Sequence, residues 1–224
     1  MNLPLPKRLS GRRTQPECPG QPEQAGGADL DAEHAAYMSW VAATVGDHGW
    51  AVTGRHGDEA APPWAYSVGM WVSHQVPELI LCGLPVGSGA AIINAIGARI
   101  ADGARIGPGN VIDDGYLPDI VAPFHWAGPW GVRGVAPQGD HCSASLALRP
   151  VESSWRATDG LLGISNSFYG MVRPPYLQVV WSDRSGRFPG EQGFQSRFSG
   201  MQPLLWLPRD DNPPSTWTRL ERLR

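Results

Sequence analysis

Lysine is almost missing from this chain: Lys7 is the single one in 224 residues, and the remaining positive charge is arginine. Beside many Ala, Gly and Pro this fits a high-GC coding bias, which lowers the weight any one arginine carries as a signal. The net charge is -3, so there is no basic field and nucleic acid is not an expected partner. Cysteine is scarce too. Cys18, Cys82 and Cys142 are an odd, widely spaced set without a Cys-x-x-Cys pair, which speaks against structural zinc and against a disulfide framework; reduced thiols are expected. The six histidines show no pair at helical ligand spacing, and beyond the adjacent His141-Cys142 no Cys/His cluster exists, so neither a metal nor a cofactor is expected.

Long apolar runs are absent as well. None approaches the ~20 residues of a membrane helix, and "MNLPLPKRLSGRR" lacks the apolar stretch of a signal peptide, being broken by Pro4 and Pro6. A cytoplasmic protein with no membrane partner is the expectation. There is no Gly-x-Ser-x-Gly elbow, and Cys82 sits inside an apolar strand, so nucleophilic catalysis has no signature. The glycines of "GLPVGSGAAI" precede a helix without the Walker lysine or the dinucleotide spacing, leaving at most Ser88 and Gly89 to face an anion.

What is present is material for a core. Hydrophobic residues make up 42% and charged residues 17%, enough for one domain of this length. Residues 1–28 are Pro, Gly, Gln and Arg with almost nothing to bury, which predicts a disordered tail; 29–208 read as the domain and 209–224, polar and Pro-rich, as a loose C-terminal tail.

Within the domain a helix is expected from Asp31, with Met38, Val41 and Val45 at helical spacing and Gly46 and Gly49 as its stop. The strand "WAVTG" follows. "PPWAYSVGMWVSHQVPELILCGLP" reads as two strands, Trp64 to Met70 and Glu78 to Cys82, around a surface joint carrying Ser73, His74 and Gln75. After Pro85, Ser88 is the expected cap of a helix with Ile92, Ile93, Ile96 and Ile100 on one face and Gly103 at its end. Five prolines between Gly107 and Asp140 restrict that stretch to loops and brief strands. Alternation returns in "CSASLALRP", a short helix is indicated over Thr158 to Tyr169, and "PPYLQVVWSDRSGRFP" gives a strand, a tight turn and a further short strand. Strands with two or three helices, not regularly alternating, predict an α+β fold with a mixed or antiparallel sheet.

Three groups of side chains are candidates for function. Tyr66, Ser67, His74 and Glu78 can surround a pocket at the strand ends, His74 carrying a proton and Glu78 acting as base or orienting group; equally, Tyr66 packs, Ser67 lies on a sheet face, His74 is solvated and Glu78 binds backbone donors where its strand begins. His125, Trp126, Trp130 and Arg133 in "APFHWAGPWGVRG" can shape a ligand pocket or plug an irregular core. Asp183, Arg184 and Arg187 can grip an anion or simply close a hairpin turn.

From His48 to Gln202 the order of "HGWAVTG", "WAYSVGM", "PELILCGLP", "AAIINAIGARIADG", "PPYLQVVWSDRSGRFP" and "QPLL" resembles the bacterial domain of unknown function 4262 family. Two positions depart from the family's pattern. Its joint commonly reads Gly-His-Pro-Glu where this chain has Gln75-Val76-Pro77-Glu78, and Trp-Pro-Asp is usual in place of Trp181-Ser182-Asp183. The resemblance implies a small cytosolic bacterial domain and assigns no activity. On these grounds the expected function is a non-catalytic module binding a small molecule or a partner protein in a toxin, defence or biosynthetic setting. The competing expectation is a small hydrolase or transferase using His74 or His125 with Glu78 and Asp183, with Arg187 on an anionic substrate. Convergence of those groups in one concave site is what separates the two.

Overall fold

A computed structural model describes residues 27–59, 61–112, 145–183 and 185–223. Residues 1–26 of the tail expected over 1–28, the loop carrying His125, Trp126, Trp130 and Arg133, and Arg184 lie outside the described residues, while Gly27 and Ala28 open the first helix.

The chain forms α1 (Gly27–His48), β1 (Ala51–Arg55), β2 (Trp64–Val68), α2 (Met70–His74), β3 (Glu78–Cys82), α3 (Val86–Ala101), β4 (Val111–Ile112), β5 (Leu146–Pro150), α4 (Ser153–Arg156), α5 (Asp159–Tyr169) and β6 (Tyr176–Trp181). Among the described residues six strands make one sheet in the order β1-β2-β3-β6-β5-β4, parallel only where β3 meets β6. This is the expected α+β class with a mixed sheet. The described helices outnumber the two or three expected, because α2 and α4 are one-turn pieces too short to show a period in sequence.

Both faces of the sheet are covered, which is why β2, β3 and β6 are apolar almost throughout rather than alternating. On one face Ile92, Ile93 and Ile96 of α3 pack on Val52, Leu79, Leu81, Leu177 and Val179. On the other, Tyr37, Val41 and Val45 of α1 and Leu161 and Leu162 of α5 pack on Trp64, Tyr66, Ile80 and Tyr176. Helix α3 begins at Val86, with Pro85 extended before it, so Ser88 lies in the first turn and is not the cap. Among the described residues no helix is long and apolar enough to cross a membrane.

The C-terminal segment corrects the expectation of a loose tail over 209–224. Trp217 and Leu220 are buried in the α1/α5 face, the Trp217 ring meets Trp64 edge-on at 5.7 Å, and its indole N–H donates to Gly200 O at 3.0 Å. The polar and proline composition hid two large apolar side chains whose burial outweighs it. The short strand expected after the Asp183 turn is also absent among the described residues: turns and a 3₁₀ stretch at Ser196–Phe198 take its place.

Side chains explain why the chain crosses the sheet at "QPLL". The Gln202 amide accepts from Trp181 N–H at 3.0 Å and donates to Trp181 O at 2.9 Å, completing the backbone of the last β6 residue as a neighbouring strand would. Gln178, fully buried, donates to Pro203 O and accepts from Leu205 N–H. Trp181 in turn donates its indole N–H to Cys82 O at 2.9 Å. Gly83 follows at φ 83°, where an added Cβ would stand 2.5 Å from Met201 O, so only glycine fits there.

Candidate functional site

Strands β2 and β3 pair as far as Tyr66 opposite Ile80. Beyond that point side chains replace the ladder. Ser67 Oγ accepts from Leu79 N–H at 2.8 Å, and its hydroxyl donates to Glu78 Oε2 at 2.5 Å. Glu78 Oε1 accepts from Gly69 N–H at 2.9 Å, from Trp71 N–H at 3.0 Å and from the Tyr169 hydroxyl. Gly69 N–H is shared with Tyr169 Oη at 3.0 Å. Glu78 is fully buried, and all four of these partners are neutral donors.

Glu78 thus fastens α2, whose first backbone N–H groups would otherwise lack acceptors, and ties it to the end of α5 through Tyr169. Gly69 makes the bend possible: its φ is 113°, and an added Cβ would stand 2.7 Å from Val45. Two more tyrosines extend the network. Tyr176 donates to Ser165 Oγ at 2.5 Å, and Tyr66 Oη accepts from Ile164 N–H at 3.3 Å. Burial, with the Glu78 charge second, raises the Tyr169 and Tyr176 hydroxyls well above the ordinary tyrosine range, so both stay protonated donors.

Asp183 is organised in the same manner at another place. Its Oδ1 accepts from Ser185 and Arg187 N–H at 2.8 and 3.0 Å and its Oδ2 from Gln195 N–H at 3.0 Å. Burial opposes its ionisation, yet these backbone donors, helped by the Arg187 charge, outweigh it and hold the carboxyl below the usual range. Asp183 is buried, not solvated, and the Arg187 guanidinium donates to Gly193 O instead of pairing with it.

The two carboxylates do not converge. Glu78 stands beside Tyr176, where β6 begins, and Asp183 lies just past its other end, roughly 20 Å away at the rise of a strand. Tyr66, Ser67 and Glu78 do come together, as part of the buried network. His74 ends α2 outside that network, half-buried; its Nε2 has no partner among the described residues and lies over Gly49, while its ring meets Trp50 at 5.7 Å. With Val76 it borders an open cleft of about 500 Å³ whose other wall is the chain leaving α3. Among the described residues no group of three His, Cys, Asp or Glu side chains is placed to hold a metal.

The same end of the sheet carries the exposed apolar side chains Trp71 and Val72 of α2, and Met171 and Val172 between α5 and β6. Sequence reasoning named Glu78 and Ser67 but missed Tyr169 and Tyr176. Nothing local marks a tyrosine at a helix end as the partner of a carboxylate 91 residues away.

A family model described as a domain of unknown function, DUF4262, matches residues 44–195. Neither a curated protein nor a solved structure gives a match.

Proposed function

The chain belongs to the DUF4262 family, and from that premise we propose that it is a non-catalytic binding module of the bacterial cytosol, an accessory or neutralising partner in a toxin, defence or biosynthetic system. Its recognition surface is the end of the sheet around α2. The observation that carries this reading is the pairing of a fixed frame with an exposed apolar tip. Trp71 is 37% exposed and Val72 56% exposed, on a one-turn helix whose first turn is fastened to the core by buried Glu78. An apolar side chain held rigidly at the surface loses little freedom on binding, which is what makes such positions good anchors.

The carboxylates support the same reading. Acid-base work needs a group able to reach substrate, whereas both oxygens of Glu78 and both of Asp183 are occupied by internal donors. The test is native mass spectrometry of the chain purified from its own host, before and after denaturation, beside a Trp71→Ser/Val72→Ser variant. A bound mass present on the wild type and missing from the variant supports the surface; a mass retained equally by both rejects it.

A further inference from the structure

The cleft beside α2 has a chemistry of its own. Its volume of about 500 Å³ lies in the range of small-molecule sites, about 300–1,000 Å³. Val76, Ile100 and Ile106 form its walls, half-buried and packed against the core under α3. The polar side chains along it are His74, Arg105 and Asn110. Arg105 is exposed at the rim, and among the described residues it makes no ion pair or hydrogen bond and no acidic side chain lines the cleft. Asn110 spends its Oδ1 on Gly107 N–H at 2.7 Å, which turns its amide nitrogen to donor duty elsewhere. His74 borders the same space, its Nε2 buried over Gly49.

We infer that this cleft binds a small organic carboxylate with an apolar body, the carboxylate on Arg105 and Asn110 and the body against Val76, Ile100 and Ile106. The complementarity is twofold. A guanidinium presents a donor fork matched to a carboxylate, and branched aliphatic walls favour a ligand whose remainder is hydrocarbon over a polyphosphate or a sugar. Arg105 is one cation, suited to a monoanion. This rests on the binding-module reading and names the ligand class for its site.

Titration calorimetry of the full chain with octanoate and with its neutral isostere octanamide tests it, using wild type, Arg105→Gln and, as a charge control in the C-terminal segment away from this end of the sheet, Arg219→Gln. Octanoate should bind about fivefold or more tightly than octanamide at low salt, the margin expected of one charge-assisted contact at a partly exposed rim. Arg105→Gln should erase the difference and Arg219→Gln should keep it. Equal affinity for the two probes, a preference that survives Arg105→Gln, or no octanoate binding at millimolar concentration overturns the inference. Should that happen while the Trp71→Ser/Val72→Ser variant still loses a co-purifying mass, the module reading stands without this ligand; a failed titration beside a mass retained equally by wild type and that variant removes both.

Discussion

Replacing Glu78 by alanine is the sharpest perturbation of the frame. The change strands Trp71 N–H and the Ser67 and Tyr169 hydroxyls, while Gly69 N–H keeps Tyr169 Oη as acceptor. Each buried donor left unmade costs about 1–3 kcal/mol. Some relief comes from no longer burying a charge, so a net loss of about 4 kcal/mol is expected, a large share of the 5–15 kcal/mol typical of a domain. Glu78→Gln keeps one acceptor oxygen toward Gly69 and Trp71 and sets an NH₂ against Ser67 Oγ, which already accepts from Leu79 N–H. Its cost should be smaller, about 1–2 kcal/mol. Urea unfolding with a shared m-value measures both. An alanine variant within about 1 kcal/mol of wild type, or a glutamine variant as unstable as the alanine one, would refute the claim that this carboxylate holds α2.

Other consequences follow from the same structure. Trp217→Ala removes a buried ring and its bond to Gly200 O, and should cost about 3–5 kcal/mol in the same assay; a neutral result would restore the loose-tail expectation. The folded-state pKa of Asp183 is depressed, so its contribution to stability is present above the unfolded value near 4 and is lost as pH falls below it. Asp183→Asn should flatten the stability profile there, read from melts between acid and neutral pH. Tyr169 is shifted upward, so stability should fall as pH rises past about 10, where unfolded tyrosine ionises, and Tyr169→Phe should lessen that fall. Burial also raises the Cys82 thiol, and iodoacetamide should label it only in denaturant, site by site in peptide mass spectra.

Local physics made much of the fold legible. The isoleucines of α3, the apolar runs of β2, β3 and β6 and the Gly103 stop each show in a short window, and the structure has them. What escaped was decided by distant partners. Trp217 lies in a polar, proline-rich segment and becomes core because Trp64 and α5 await it across the fold. Asp183 opens a turn as expected, yet the chain that returns through Gln195 buries it. Glu78 was readable as a group binding backbone donors at a strand start. That the donors belong to α2, and that Tyr169 closes the network, depends on where α5 ends.

Hydrogen exchange locates the recognition surface most directly. The chain isolated with its co-purifying species is compared, amide by amide, with the same chain after that species has been stripped by denaturation and refolding. Added protection confined to residues 69–76 and 103–110 and the Met171–Val172 loop is the predicted result. Protection centred instead on the Asp183 turn and residues 185–203, with the α2 end unchanged, would contradict the account.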